Sequence, residues 1–426
     1  MFGAARRVHW GVLVVALLIS FVLKLTLALN TYGTNDVVYW EESAKKISVQ
    51  QELNLYREGN NVGNSQQAFN HPPFMLRVLH AWDLLAGVSG LSLRFWMRVT
   101  SSLADVASVL LIWIILYRDH APPDPGLIAM ALAPVSILIS GFHGNTDPIM
   151  VMFILLAIYC VECRAAWMLA GVAFGLALCV KVVPLVLLPA FLLYLPNWTA
   201  RRNFALASTF VVLVLSLPIL LEDPAAVIKA VLGYSGNTHD WGIGRILFWF
   251  ANINEHWRSV YNGYASYGKF ILLPAVAALG LWMNSLPVRP RLFTQCGIVL
   301  FFFLTLSPGF GVQYLAWLIP WVVTFGLWPA LAFHLSTGMY LFCVYNFWSG
   351  GIPWYYADGI NAGPRPWPLK VFEMICWVTV SCSAMLLLRQ VKIASSQRPG
   401  DKRTLRPAIV DLPEISGSGI SPETSV

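Results

Sequence analysis

The feature that most constrains this chain is the repetition of long apolar runs along it. Runs of roughly 15 to 22 residues recur, each long enough, or nearly so, to cross a hydrocarbon core of about 30 Å as a helix. About twelve such runs begin near residues 10, 97, 126, 148, 166, 182, 203, 269, 292, 312, 330 and 368. Only 12% of the residues are charged, whereas soluble domains average about 25%. The sequence therefore predicts an all-α polytopic membrane protein, because helices satisfy their own backbone groups in lipid.

Basic residues in the short connections predict the orientation, since Lys and Arg favour the cytoplasmic side. One side of the predicted topology carries Arg6, Arg7, Arg118, Arg164, Arg201, Arg202, Arg289 and Arg291. The basic residues of the C-terminal tail join that side, so both termini are expected in the cytoplasm, as an even number of spans requires. The long loops at 30–96, 222–268 and 349–367 then share the outer face, where we expect one cavity.

Two segments depart from this simple pattern of spans. Residues 72–90 carry ionisable side chains among apolar ones, which favours an interfacial helix in the first outer loop over a span. Residues 166–196 are interrupted by Lys181 and two prolines. This interruption favours two short helices with Lys181 at an outward turn, and one tilted helix is the alternative.

The chain is expected to form one transmembrane domain over residues 1–390. Residues 391–426 are predicted to be a disordered cytoplasmic tail, because they are rich in Ser, Pro, Gly and charge and cannot bury enough apolar surface to fold. All seven cysteines fall in predicted spans, which argues against a disulfide framework. The glycosylation sequon at Asn197 falls on the cytoplasmic side, which favours a bacterial plasma membrane.

Asp36 is the candidate catalytic residue. It follows the first apolar run and precedes a helix-like stretch from Tyr39 to Ile47. A carboxylate this close to the hydrocarbon boundary carries a desolvation cost that usually marks a site. In the functional interpretation, Asp36 is a general base that takes a proton from an attacking hydroxyl. The alternative is a helix N-cap, in which the carboxylate accepts a bond from a backbone amide.

A second polar group lies at the outward end of the third span. His143, Asn145 and Asp147 fall within five residues, among glycines that allow close backbone approach. We interpret the three side chains as substrate-binding candidates. The alternative is a polar turn in which Asp147 caps the next helix, with Pro148 at a normal first position. The two interpretations are compatible.

The run from Ser307 to Pro320 supplies a third group of candidates. Gln313 and Tyr314 offer hydrogen bonds and an aromatic face at an outer helix start, as a sugar ring or a lipid headgroup requires. Interfacial aromatic belts are also ordinary in membrane proteins. On its own, this run is only a weak indication of a site.

A phosphate-bearing ligand would also require basic side chains on the outer side. The candidates are Arg94, Arg98, Lys181, Arg245, Arg258 and Lys269. Arg can grip phosphate oxygens bidentately, whereas Lys acts as a point charge. We prefer Lys181 and Arg245 as substrate-binding residues, and the alternative for the whole set is snorkelling to the membrane surface.

The order of these motifs resembles that of the membrane-embedded glycosyltransferases of the C superfamily, GT-C. The resemblance is to the GPI first-mannosyltransferases and the bacterial polyprenyl-phosphate-mannose-dependent enzymes. It covers residues 10 to about 330 through Asp36 with Tyr39 and Ala44, Tyr56, His71 with Pro72 and Pro73, Gly144, Asn145 and Asp147, Lys181 with Pro184 and Pro189, and Gln313, Tyr314, Trp317 and Pro320.

This resemblance implies an outward-facing active site with a GT-C-like fold of about twelve transmembrane helices. The donor would be a polyprenyl-phosphate monosaccharide, from which a single hexose, most simply mannose, is transferred with inversion to a glycan, lipid or protein acceptor. Asp36 would be the base, and His71 at the end of the first outer loop would help to bind substrate. The implied partners are the donor, the acceptor and the lipid bilayer, with no nucleic acid.

No cofactor is expected, and the sequence departs from its relatives at the position where a metal would bind. Several relatives carry two acids separated by one residue in the first outer loop. Here Asp36 is followed by Val37 and Val38, so we predict no metal held between paired acids. Glu41 and Glu42 lie near enough in sequence to leave that alternative open.

A transporter or flippase of lipid-linked glycans is the main competing interpretation. Such a protein would place ionisable groups and broken helices near the bilayer midplane in both halves. Here the polar residues collect at one surface. A polymerase or ligase that takes a lipid-linked oligosaccharide is a third possibility, and the loop at 222–268 only partly resembles the loop such an enzyme would need.

Overall fold

The computed structural model describes residues 9–49, 53–57, 60–62, 65–67, 69–117, 125–233 and 236–396. In the first half, the α-helices are α1 (Trp10–Asn30), α2 (Asn35–Val49), α3 (Asn54–Arg57), α4 (Phe74–Ser89), α5 (Leu93–Leu116), α6 (Pro125–Ala131), α7 (Pro134–Ser136), α8 (Asp147–Glu162), α9 (Trp167–Val180) and α10 (Leu188–Tyr194). Between α7 and α8, Ile137–His143 is a π-helix, and Val183–Leu187 before α10 is a 3₁₀-helix.

The second half is also helical. Its α-helices are α11 (Trp198–Glu222), α12 (Pro224–Leu232), α13 (Gly242–Ala251), α14 (Glu255–Ser285), α15 (Leu292–Leu306), α16 (Ile319–Val322), α17 (Leu327–Trp348) and α18 (Trp367–Ser396). Two 3₁₀-helices, Val312–Trp317 and Val323–Phe325, flank α16. The described strands are short: β1 (Gly33–Thr34), β2 (Asn60–Val62), β3 (Ser65–Gln67) and β4 (Tyr356–Ala357).

Seven helical segments of the described chain are long and apolar enough to cross a membrane: α1, α5, Pro125–His143, α11, α14, α17 and α18. The predicted all-α polytopic membrane fold is thus confirmed. The other five predicted runs are helical but shorter, at 147–162, 167–180, 183–194, 292–306 and 312–325. The count of long helices falls below twelve partly because Lys181, prolines and glycines break some of these runs into short pieces.

Both irregular segments are helical, and the second is interrupted at Lys181 as predicted. The interfacial candidate is α4, which is not among the long apolar helices of the described chain. The run at 166–196 is broken after α9, where Lys181 follows in extended conformation before the next 3₁₀-helix. At the C-terminal end, α18 continues to Ser396, so the predicted domain boundary at 390 falls inside a helix. Arg6, Arg7, Arg118 and the tail from 397 onward lie outside the described residues.

Close helix packing in the middle of the chain depends on small residues. A Cβ atom at Gly171 of α9 would lie 2.3 Å from the Phe204 carbonyl oxygen of α11, and one at Gly175 would lie 2.8 Å from the Ser208 carbonyl oxygen. Small residues let helix backbones approach in membranes, where apolar burial alone does not drive association. The packed α8, α9 and α11 therefore provide a fixed wall below Lys181.

Short backbone pairings bring the three long loops together. Strand β1, just before Asp36, pairs in parallel with β4 of the 349–367 loop. Asn237 of the 222–268 loop forms an antiparallel bridge with Phe310, and the Trp241 ring stacks on Phe310 with centroids 3.9 Å apart. These contacts place all three predicted outer loops around one space.

Candidate active site

A large cavity lies where these loops meet, with a volume of about 790 Å³. Its walls include eight of the nine predicted site residues: Asp36, His71, His143, Asn145, Lys181, Arg245, Gln313 and Tyr314. Asp147 is the exception, because it is fully buried and is absent from the cavity wall. The structure therefore brings sequence-distant polar groups into the shared cavity that the loop arrangement predicted.

Asp36 lies in the first turn of α2, but its carboxylate does not cap that helix. The Thr34 hydroxyl accepts from the Asp36 backbone N–H at 3.3 Å, while Asp36 Oδ2 accepts from Asn145 Nδ2 at 2.6 Å. His143 Nε2 lies 3.1 Å from the same oxygen. The Asp36 side chain remains 36% exposed. Its carboxylate is therefore held from one side and open to the cavity on the other.

The π-helix aims His143 at Asp36. The Gly144 N–H donates to the Ile139 carbonyl oxygen five residues earlier, at 3.3 Å. His143 Nδ1 lies 2.8 Å from the hydroxyl of Tyr345 in α17. With its proton on Nε2, the imidazole donates to Asp36 and accepts from Tyr345, so both ring nitrogens are used and the ring orientation is fixed.

The surroundings of Asp36 keep it ionised. Desolvation raises the pKa of Asp36, but His143, the Lys181 ammonium and the Asn145 hydrogen bond lower it more, so the pKa lies below its ordinary value. Opposite charge and hydrogen bonds to the carboxylate both favour its charged form. Asp36 is therefore a carboxylate throughout the neutral pH range.

Asp147 lies beneath the cavity wall and holds Lys181 in place. Asn145 Oδ1 accepts from the backbone N–H groups of Thr146 and Asp147, at 2.7 and 3.3 Å, so the polar cap of α8 comes from Asn145. The Asp147 carboxylate pairs with Lys181 Nζ at 2.8 and 2.9 Å and accepts from the Trp317 indole N–H. The structure thus places Asp147 under Lys181 and away from the cavity surface.

Aromatic rings and one amide line the cavity beside Lys181. The Tyr314 and Trp317 rings stack with centroids 4.2 Å apart, and Lys181 Nζ lies 5.3 Å from the Tyr314 centroid. Gln313 also faces the cavity. Stacked rings beside polar groups suit a sugar, because its C–H faces pack on aromatic surfaces while its hydroxyls bond to the polar groups.

His71 is buried at the cavity wall among aromatic rings. Its ring centroid lies 4.5 Å from that of Trp40, and Nδ1 is 3.4 Å from the Val180 carbonyl oxygen. Desolvation and the positive charge of Lys181 lower the pKa of His71 to about 3. His71 is therefore neutral at physiological pH and can act only as an uncharged hydrogen-bonding group.

Arg245 belongs to a neutral cluster of four charged side chains. Its guanidinium bonds to Asp240 at 2.9 Å and to both carboxylate oxygens of Glu373 at 3.1 Å. Arg365 pairs with the same two acids, at 3.0 and 2.7 Å. Two positive and two negative charges cancel within the cluster, so Arg245 offers little net charge to a ligand.

Two further lysines line the cavity without an acidic partner among the described residues. Lys370 lies at the start of α18. Lys269 Nζ lies 3.5 Å from the Leu232 carbonyl oxygen and 5.5 Å from the Phe270 ring centroid. The other predicted cations face elsewhere: Arg94 pairs with Glu41, Arg258 pairs with Glu255, and Arg98 is fully buried. The net positive charge of the cavity therefore comes from Lys269 and Lys370.

A comparison with known families agrees with this geometry. Residues 70–221 match the family model described as dolichyl-phosphate-mannose-protein mannosyltransferase. Over these residues the chain is similar to a GT-C type mannosyltransferase family. The match covers about a third of the chain and includes His71, the 141–148 turn and Lys181, while Asp36 precedes it. No curated protein matches the chain.

Glu41, one of the two acids left open as a metal ligand beside Asp36, is engaged by other side chains. Glu41 accepts from the Tyr32 hydroxyl at 2.5 Å and pairs with Arg94 at 3.1 Å, so its carboxylate is already satisfied. The described residues contain no group of three or more His, Cys, Asp or Glu side chains that could hold a metal ion. No step of the mechanism below is routed through a metal.

Three residues at or beside the candidate site were not predicted from the sequence. Tyr345 is one aromatic residue among many in an apolar helix, and nothing in the sequence indicates its contact with His143. Arg365 and Lys370 could have been found, because they lie in or just after the 349–367 loop that was predicted to face outward.

Proposed function

We propose that this protein transfers a single mannose from a polyprenyl-phosphate donor to a hydroxyl of a glycan, lipid or protein acceptor on the outer face of the membrane. Asp36 acts as the general base. The observation that carries the proposal is an ionised carboxylate at the wall of a cavity. The same cavity presents two lysines that have no acidic partner in the described part of the chain. The family match supports a glycosyltransferase of the GT-C kind.

The free oxygen of Asp36 is the atom that takes the proton. Oδ2 is engaged by Asn145 and His143, whereas Oδ1 accepts no hydrogen bond from the described part of the chain. A base must lie within hydrogen-bond reach of the proton it removes. Asp36 lines the cavity, so Oδ1 is the oxygen left to accept a proton from an acceptor hydroxyl.

One base is enough to balance the protons and bonds of the transfer reaction. The acceptor O–H transfers its proton to Asp36 Oδ1 while the acceptor oxygen bonds to C1 of the sugar. The bond between C1 and the phosphate oxygen breaks, and the polyprenyl phosphate leaves with that electron pair. Attack from the face opposite the phosphate inverts the configuration at C1.

Lys269 and Lys370 supply the positive charge that stabilises the leaving phosphate. Negative charge grows on the phosphate as the C1–O bond breaks, and fixed cations nearby stabilise it. Lys181 and Arg245, the cations favoured by sequence, are both neutralised by acids. We therefore assign the donor phosphate to Lys269 and Lys370, with Lys181 nearer to the sugar.

An apolar wall beside Lys269 suits the polyprenyl chain. Val231 and Leu232 of α12 and Leu272 of α14 line the cavity next to this lysine. Leu232 is half-exposed, so the apolar wall extends to the outer surface of the helices. A lipid phosphate held at Lys269 could leave its chain on these side chains and remain in the membrane.

The test is transfer by purified protein in detergent with radiolabelled polyprenyl-phosphate mannose and a panel of lipid, glycan and peptide acceptors. Wild type should form labelled product, and Asp36→Asn should reduce kcat by about a thousandfold or more. Asp83→Asn, which changes an exposed carboxylate on α4, is the matched control and should behave as wild type. Unchanged turnover in folded Asp36→Asn would end the base assignment.

A further inference from the structure

A buried polar network lies inside the membrane-spanning part, below the active site. Lys24 of α1 is almost fully buried, and its Nζ bonds to Asp105 Oδ2 of α5 at 2.7 Å and to Ser136 Oγ at 2.8 Å. Asp105 Oδ2 also accepts from the Ser136 and Ser140 hydroxyls, at 2.7 and 2.5 Å. Three helical segments therefore meet at one carboxylate oxygen.

Burying this network inside the membrane-spanning part costs free energy, and none of its four side chains lines the active-site cavity. Ionisable side chains within transmembrane segments are costly and usually serve a function. The helices α1 and α5 are already long and apolar, so they do not need an ion pair to enter the membrane. A role beyond insertion is therefore indicated.

The two serines belong to the segment that aims His143. Ser136 ends α7, and Ser140 lies in the middle of the π-helix Ile137–His143. A π-helical turn holds one residue more than an α-helical turn, is rare, and occurs often at functional sites. If it relaxed to an α-helix, the residues after it would rotate by about 100°, and His143 would no longer face Asp36.

The far end of the π-helix is also held by α5. The buried Arg98 donates to the Ala28 and Thr31 carbonyl oxygens of α1, at 3.0 and 2.8 Å, and approaches the Gly141 and Phe142 carbonyl oxygens at 3.4 and 3.5 Å. The π-helix is therefore fixed at two levels, by Asp105 in the span and by Arg98 at the outer end.

We propose that Asp105 is a positioning residue for the transfer reaction. Through Ser136 and Ser140 it holds the π-helix in the register that places His143 on Asp36. It touches no substrate and acts through the orientation of His143. The kinetic part of this inference rests on the proposed function, whereas the orientation of His143 can be measured without it.

The main test variant is Ser140→Ala, which cuts the bond to the π-helix and leaves the Lys24–Asp105 pair intact. We expect kcat to fall by about tenfold to a hundredfold, with KM for the donor unchanged. The matched control is Ser383→Ala, because Ser383 is buried and bonds only to the Thr379 carbonyl oxygen of its own helix. It should keep wild-type kinetics.

A second variant tests Asp105 itself. Asp105→Asn alone would leave the Lys24 ammonium buried without its counter-ion, so we pair Lys24→Met with Asp105→Leu. Replacing both members of a buried ion pair with apolar residues is often neutral for folding. This double variant should lower kcat as Ser140→Ala does, and adding Ser140→Ala to it should lower kcat no further.

A cycle with His143→Ala separates positioning from general destabilisation. If Asp105 and Ser140 act through His143, Ser140→Ala should have no further effect on kcat in the His143→Ala background. Full additivity of the two effects would overturn the inference.

An activity-independent measurement completes the test. ¹⁵N-histidine-labelled protein, with His143→Gln used for assignment, should show a shifted imidazole resonance of His143 in Ser140→Ala and none in Ser383→Ala. An unchanged His143 resonance would overturn the inference whether or not transfer is detected. If wild type forms no product while the resonance does shift, the proposed function fails and the positioning network stands.

Discussion

Asn145 Nδ2 donates to Asp36 Oδ2 at 2.6 Å, although the two residues are 109 positions apart in the chain. The same Asn145 side chain accepts from the backbone at the start of α8. One amide thus joins the first turn of α2 to the first turn of α8. This contact helps to fix the position of the candidate base and, together with His143 and Lys181, lowers the pKa of its carboxyl group.

Asn145→Asp should move the acid limb of the kcat profile to higher pH. In wild type the pKa of Asp36 lies below its ordinary value, so the base stays ionised down to about pH 4. A second carboxylate at 145 would remove a donor and add a like charge, and both changes raise the pKa of Asp36. The measurement is kcat against pH for both proteins. An acid limb at the same pH in both would contradict this electrostatic account.

Tyr345→Phe should lower kcat by about tenfold and leave KM near its wild-type value. The phenol bonds to His143 Nδ1, so its loss frees the imidazole to rotate away from Asp36, while the ring keeps its packing. Tyr355→Phe, which changes an exposed tyrosine in the 349–367 loop, serves as the control. Equal kinetics in Tyr345→Phe and wild type would show that the His143 orientation does not depend on this hydroxyl.

Lys370→Ala and Lys269→Ala should each weaken donor binding, with a rise in KM for the donor of about tenfold. Each lysine faces the cavity without an acidic partner in the described chain, so its charge is available to the phosphate. Lys229→Ala on the exposed face of α12 is the control. If instead Arg245→Ala in a folded sample raised KM and the two lysine variants did not, the phosphate assignment would be wrong.

The stability of the protein should fall as the pH drops from about 6.5 towards 3, with a contribution from His71. Burial lowers the pKa of folded His71 to about 3, while the unfolded chain titrates near the ordinary value of about 6.5. Between these values the unfolded state binds the extra proton. The contribution is therefore fully present above pH 6.5 and is lost as the pH falls.

Thermal unfolding in detergent at pH 7.5 and pH 5 measures this difference. His71→Gln should show a smaller loss of Tm between the two pH values than wild type does. His80→Gln, at an exposed position of α4, should lose as much as wild type. A loss in His71→Gln as large as that of wild type would show that His71 is not the group responsible.

Much of the fold follows from the sequence because it depends on local properties. Hydrophobic run length predicted a helix at each span. The interfacial location predicted for α4 from its charges stays a prediction. Lys181 with its neighbouring prolines predicted the break after α9. The number of helices long enough to span was less predictable, because helix ends in the middle of apolar runs depend on packing.

The sequence by itself determined which chemical groups the cavity offers, since eight of the nine candidate residues line it. Only the tertiary structure decided which of these groups are already paired. Asp147 lies beneath Lys181, and the charge of Arg245 is balanced by Asp240 and Glu373. Lys269 and Lys370 have no acidic partner among the residues that the structure describes. The physical reason is that effective charge depends on neighbours within a few ångströms, and these neighbours come from distant parts of the chain. A hydropathy pattern describes each segment separately, whereas the pairing of charged side chains depends on how the helices pack together.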